Sequence, residues 1–119
     1  MASPQELRDR TKSFAVRIVR LYRSLPLRTD AQVLGKQLLR CGTAVAANYR
    51  AACRARSKAE WIAKIGIVVE EAEESVFWLD MLIDCEIVAA VKLQPLIKEG
   101  HELSAIFTAS RHTARSKSS

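Results

Sequence analysis

The hydrophobic positions of this chain fall into four stretches of helical period. From about Gln5 to Ser24, Phe14, Ile18, Leu21 or Tyr22, and Leu25 recur three or four residues apart and share one helical face. Pro26 closes that segment, because the residue before a proline is driven out of the helical region. Thr29 or Asp30 can cap the next helix, with Gln32, three residues beyond Thr29, as the reciprocal partner. Leu34, Leu38, Cys41, Val45, Asn48 and Ala52 then step by four and three, the spacing of a bundle seam. Ser57-Lys58-Ala59-Glu60 has the form of a capping box. Behind it, Trp61, Ile65, Val68, Ala72, Val76, Leu79 and Leu82 or Ile83 make a broad apolar face. That third helix ends somewhere between Asp84 and Val88, where no residue breaks a helix firmly. Leu93, Leu96 or Ile97, Leu103 and Phe107 supply a fourth face, with Pro95 expected in a first turn and Gly100 softening the middle.

Four apolar stripes on short connections predict an all-α fold, an antiparallel up-down four-helix bundle over residues 1–112. The polar, basic run from 113 to 119 is expected to be a disordered tail. Strand alternation is absent from the pattern, and no internal repeat is present. The composition agrees: 119 residues, 49% hydrophobic, with four glycines and three prolines, suit one folded domain with a modest core. A core of that size gains much from association with further copies of the chain.

Charge changes the picture, because it is not spread evenly. Residues 1–56 hold 12 Lys or Arg against 3 acids, residues 57–91 hold 2 against 8, and residues 92–119 hold 5 against 2. The net charge of +6 and a pI near 9.6 favour anionic partners such as nucleic acid. An acidic third helix among basic neighbours favours ion pairs between helices or between subunits. Exposed pairs contribute only ~0–1 kcal/mol each, so they select register more than they stabilise.

Candidate chemistry narrows the function by exclusion. Cys41, Cys53 and Cys85 are odd in number and widely separated, which argues against a disulfide framework and for a reducing compartment. His101 and His112 have no zinc spacing, and no Glu precedes a His by three as a di-iron bundle requires, so no metal or cofactor is expected. Cys53 beside Arg54 lacks a placed histidine and reads as a small inert residue. No Gly-rich phosphate loop and no nucleophile–histidine set is present. The start, MASPQELRDR, carries no apolar signal core, and no apolar run is long enough for a bilayer; the expectation is a cytoplasmic protein without membrane association.

Two surfaces remain as candidates. Lys36, Arg40, Arg50 and Arg54 fall close to one side of the second helix, and the basic first helix adds Arg17 and Arg20. Such cations can track phosphates, with Tyr49 or Trp61 stacking on an unpaired base. Arg17, Arg20, Lys36 and Arg40 are assigned to RNA or DNA. Arg50, Arg54 and Arg56 are assigned to assembly or binding, with Glu70 and Glu74 as their opposite number. Asn48, an amide on an apolar seam, is expected to fix register or bridge to a neighbouring helix, with ligand contact as the alternative. A solvated helix face is the competing reading of the whole cationic set.

Gln37-Leu38-Leu39-Arg40, Thr43-Ala44-Val45-Ala46-Ala47-Asn48, then Arg54, Ser57, Glu60 and Trp61, and the stretch from Glu71 to Leu82 resemble a known family. It is the four-helix-bundle family named for proteins encoded in intervening sequences of bacterial 23S ribosomal RNA, once labelled S23 ribosomal proteins. The resemblance runs from about Phe14 to Phe107. Many relatives read NIAEG where this chain has Asn48-Tyr49-Arg50-Ala51-Ala52, so Ala51 and Ala52 replace a Glu and a Gly. A role that depends on that Glu is therefore not carried over to this chain.

The resemblance implies antiparallel protomers assembled in a ring, commonly a pentamer, without established enzymatic activity. It also implies association with RNA or another nucleic acid, as for a similar basic bundle that accompanies the reverse transcriptase of diversity-generating retroelements. On this basis the arginines from Arg50 to Arg56 meet the Glu70–Glu74 surface of a neighbouring copy. The expected function is that of a non-enzymatic, ring-forming bundle that binds nucleic acid or serves a nucleic-acid protein. The alternative is a structural or protein-interaction scaffold with no nucleic-acid role.

Overall fold

The computed structural model describes residues 2–117. It contains α1 (Pro4–Ser24), α2 (Thr29–Ala52), α3 (Lys58–Asp84) and α4 (Ala90–Ser116), and no strand among the described residues. Short turns at 25–28, 53–57 and 85–89 reverse the chain each time and give an up-down bundle of 51 × 22 × 21 Å. α2 packs on both α1 and α3, and α3 on α4, whereas α1 and α4 touch only sparsely.

Local chemistry explains most helix ends. Ser3 Oγ accepts from the Glu6 amide at 3.1 Å and Pro4 opens the first turn, where its missing N–H costs nothing. Ser57 Oγ likewise accepts from the Glu60 amide at 3.1 Å, while Glu60 reaches back to the Arg56 amide at 3.2 Å, one residue before its expected target.

Two caps differ from expectation. Arg28 occupies the N-cap of α2 without a side-chain cap bond, and Asp30 accepts from the Ala31 amide at 2.8 Å. That bond is the main reason the Asp30 carboxyl is held below its ordinary pKa, with Arg28 adding to it. Gln32 makes no capping box; its amide donates to Pro26 O and accepts from the Tyr22 hydroxyl, strapping the turn to α1.

The end of α3, indistinct in sequence, is a Schellman motif: Glu86 N donates to Ile83 O and Ile87 N to Leu82 O, both at 2.9 Å. Glu86 holds the left-handed conformation (φ 59°) that glycine usually takes, which is why no breaker announced it. α4 starts at Ala90, so Pro95 stands inside the helix rather than in its first turn. It leaves the Val91 carbonyl without its helical donor, on a side where both residues are exposed to water. At the other end α4 carries helical bonding to Ser116, past the point where composition turns polar; Ser118 and Ser119 lie outside the described residues.

Phe14, Ile18, Leu38, Val45, Ile65, Val68, Leu79, Leu82, Leu103 and Phe107 are all but sealed from solvent. Each such side chain contributes roughly 1.5–3 kcal/mol on burial, so the apolar seams outweigh any surface ion pair. The seam of α2 keeps four of its six expected residues, Leu38, Cys41, Val45 and Ala52. Ala31, Gly35, Leu38, Gly42, Val45, Tyr49 and Ala52 form its buried line together with Cys41, whereas Leu34 and Asn48 sit half-buried on the flank.

Polar clamps complete the bundle. Where α1 meets α4 thinly, Arg10 grips Glu99 with two parallel bonds, Nε to Oε2 at 3.0 Å and Nη2 to Oε1 at 2.6 Å. Between α2 and α3, Arg40 pairs with Glu71 at 3.2 Å and with Glu74. In the interior Ser75 Oγ donates to Cys41 Sγ at 3.3 Å, and burial raises the Cys41 thiol pKa.

Candidate nucleic-acid interface

α1 and α2 are in close contact along one stretch and line an open cleft along the next. Toward the 25–28 turn, a Cβ on Gly42 would stand 2.3 Å from Ile18 Cδ1, and one on Gly35 2.5 Å from Leu25 Cδ1. Only glycine allows that approach. Toward the opposite end the small Ala46 and Ala47 replace them, and the helices leave a cleft of about 750 Å³. Gln5, Arg8, Asp9, Thr11 and Lys12 line it from α1, and Thr43, Arg50, Cys53 and Arg54 from α2 and the turn beyond.

Four cations and one carboxylate thus share the cleft. Arg8 Nη2 donates to Gln5 Oε1 at 2.7 Å, and Gln5 Nε2 donates to Asp9 Oδ1 at 3.0 Å, so the one acid is engaged by a neutral amide. Among the described residues Lys12, Arg50 and Arg54 make no side-chain hydrogen bond or ion pair. The hydroxyls are committed: Thr11 donates to Leu7 O at 2.8 Å and Thr43 to Leu39 O at 2.7 Å. The free donors of the cleft are therefore long, mobile cations, the kind that neutralise phosphate.

The sequence-assigned residues divide between this cleft and other places. Arg50 and Arg54 are in it, joined with Arg8 and Lys12 rather than with the other cations of α2. Arg20 and Lys36 are exposed and Arg17 is half-buried, all outside the cleft lining. Arg40 is turned to Glu71 and Glu74, and Glu74 also accepts from Trp78 Nε1 at 3.3 Å. Arg56 lies exposed in the α2–α3 turn, and Glu70 is exposed on α3. Asn48 Nδ2 donates to Ala44 O of its own helix at 2.9 Å.

Tyr49 is not a stacking residue. It is 4% exposed, its ring lies 4.9 Å from that of Phe107, and burial, with the Cys53 thiol alongside, pushes its phenol pKa well up. Trp61 is half-buried against the core. The pairing of Arg8 and Lys12 with Arg50 and Arg54 went unread in sequence, although both pairs are spaced by four and antiparallel neighbours bring such pairs side by side.

α3 presents a different surface. Ile67 and Phe77 are exposed, Trp78 and Met81 half-exposed, and Phe77 stands edge-on to Trp78 with ring centroids 4.9 Å apart. Among the described residues no group of three or more His, Cys, Asp or Glu is placed to hold a metal ion, and no helix is long and apolar enough to cross a membrane.

Fold and surface together define a small all-α bundle with a cationic cleft between α1 and α2. A family model described as 23S rRNA-intervening sequence protein matches residues 5–109, and the chain belongs to that family. It is similar to the crystal structure of a protein of unknown function from the S23 ribosomal protein family of Bacteroides thetaiotaomicron. The two share 33% identity over 92% of this chain and 97% of the other, with a TM-score of 0.86. No curated protein matches the chain.

Proposed function

We propose that this protein is a non-enzymatic nucleic-acid-binding bundle that works as an assembly of several copies. The observation that carries the reading is the α1–α2 cleft, where Lys12, Arg50 and Arg54 are concentrated without a carboxylate partner among the described residues. Cations left unpaired near one another raise the energy of the free protein and are relieved by a polyanion. The family name, with its reference to 23S rRNA, supports RNA among the polyanions.

Self-association is supported by α3. Its inner face fills the core, yet Ile67, Phe77, Trp78 and Met81 remain at least partly open on the other side. Large apolar side chains left open beside acidic ones on the outer side of a helix suit contact with another copy. Glu70 next to this apolar strip gives a neighbouring copy's cations a counter-charge, and five copies is the stoichiometry the sequence resemblance implies.

Titrating salt against binding of RNA and DNA of unrelated sequence tests the first part. Affinity should fall steeply with salt, and R50E combined with R54E should weaken binding by roughly a hundredfold at low salt. Retained mass and fold with no binding even in dilute salt leaves the protein-interaction scaffold as the function. F77K tests the second part: light scattering should show a smaller species at the same concentration, and an unchanged mass removes α3 from the interface.

A further inference from the structure

We infer that the α1–α2 cleft cradles the sugar-phosphate backbone of one strand of a nucleic-acid duplex lengthwise, two successive phosphates resting on two rungs of paired cations. This rests on the nucleic-acid reading above and adds how the ligand lies and which form is preferred. Counted outward from the Ile18–Gly42 contact, Lys12 and Arg50 stand six and eight residues away, and Arg8 and Arg54 ten and twelve. The offset between the helices is the same at both steps, so Lys12–Arg50 and Arg8–Arg54 form two rungs. On α1 one helical turn of four residues separates Lys12 from Arg8, about 6 Å along the axis, while Arg54 follows Arg50 across the end of α2, in the turn after Ala52. Ala46 and Ala47 leave the space between the walls open.

That spacing suits a strand in which a sugar separates one phosphate from the next. Inorganic polyphosphate, whose phosphorus atoms share single bridging oxygens, reaches the two rungs only with every second group and leaves the group between them without a cation. The lining decides between duplex and single strand. Binding of single strands draws on aromatic platforms, and no aromatic side chain lines this cleft, Tyr49 being packed beneath it against Phe107. Phosphate neutralisation is what the cleft supplies, and it is worth more on the higher charge density of a duplex. The bases face away and go unread. The hydroxyls of Thr11 and Thr43 donate to their own helix and Gln5 is held between Arg8 and Asp9, so the cleft offers cations rather than a hydroxyl reader of the 2′-position, and RNA and DNA duplexes are bound alike.

The test is fluorescence anisotropy with a labelled duplex, its two separated strands, a scrambled duplex and inorganic polyphosphate, each titrated across salt. The wild-type protein should hold the duplex roughly tenfold tighter than either strand, with scrambling neutral and polyphosphate weaker at equal charge. R8A with R54A, and separately K12A with R50A, each remove one phosphate seat and should each lower the slope of log affinity against log salt by about 1. Helix content and mass of the variants are checked by circular dichroism and light scattering, and the wild-type comparison of ligands needs no variant. Strands bound as tightly as the duplex, polyphosphate bound equally well, or an unchanged slope in both folded variants overturns the cradle while nucleic-acid binding stands. Failure to bind any nucleic acid at low salt overturns both.

Discussion

Along one pair of helices, α1 and α2, the bundle does two opposite things. In the half near the 25–28 turn, Gly35 and Gly42 bring the backbones together so closely that Ile18, Tyr22 and Leu25 fill all the space a side chain would need. In the other half, Ala46 and Ala47 stand between walls of Arg8, Lys12, Arg50 and Arg54, and the helices hold a cleft open. Packing in the first half is tight at the level of a single methyl group; in the second, like charges share one cleft. The difference teaches that the repulsion within the cleft is affordable because the contact that fixes α1 against α2 is made elsewhere. Stability and the candidate binding surface occupy separate stretches of the same helices.

The closed half should therefore be the sensitive one. Gly42→Ala adds one methyl where Ile18, fully buried, presents three carbons within 3.3 Å. Overpacking of this kind costs about 1–3 kcal/mol, and the better helix propensity of alanine returns up to about 1. A net loss of about 1–2 kcal/mol should appear as a lower urea midpoint with an unchanged slope. A midpoint at or above that of the parent would show that α1 is not seated by this contact.

How much of this was legible in the sequence follows from the same contrast. Helix count, order and most core positions could be read, because Phe14, Ile18, Val45, Ile65 and Leu103 announce themselves by size and spacing. The register of α2 could be read only in part. Its close contact with α1 is made at Gly35 and Gly42, which carry no hydrophobic signal. Counting from Leu34 found Leu38, Cys41, Val45 and Ala52, all buried, but took Leu34 in place of Gly35 and Asn48 in place of Tyr49, which left Tyr49 free to stack. The end of α3 was hidden for a related reason, since Glu86 does at positive φ what a glycine would have advertised. The cationic surface was legible as charge but not as partnership: Arg40 and Arg50 look alike in sequence, and only the position of Glu71 and Glu74 separates the paired from the unpaired.

A second substitution grades the closed half. Gly35→Ala also meets side chains, Leu25 Cδ1 at 2.5 Å and Tyr22 Cδ1 at 2.9 Å. Leu25 Cδ1 is the end of its side chain beside a turn, and the Tyr22 ring is half-buried and tethered through its hydroxyl to Gln32, itself only half-buried. They can swing aside where Ile18 cannot. The expected loss is under about 1 kcal/mol once helix propensity is counted, measured in the same urea series. A loss exceeding that of Gly42→Ala would place the tightest point of the seam at the turn rather than at Ile18.

The smallest effect on stability is expected in the open half, and it is the most informative for function. Ala47 is exposed on the cleft, so Ala47→Glu meets no packed atoms, and the change adds a carboxylate among four cations. Glutamate is a slightly poorer helix former than alanine, while Arg50, three residues on, supplies an attraction of about 0.2–0.5 kcal/mol. The two nearly cancel, and the unfolding midpoint should move by less than about 0.5 kcal/mol. Binding should respond differently, because the new carboxylate competes with phosphate for the same cations: affinity for nucleic acid drops and its salt dependence becomes shallower. A folded A47E protein that binds as the parent does would remove the cleft from the binding surface. A destabilisation approaching that of Gly42→Ala would instead mean that the two halves are not different, and that the helices are as closely fitted at Ala47 as they are at Gly42.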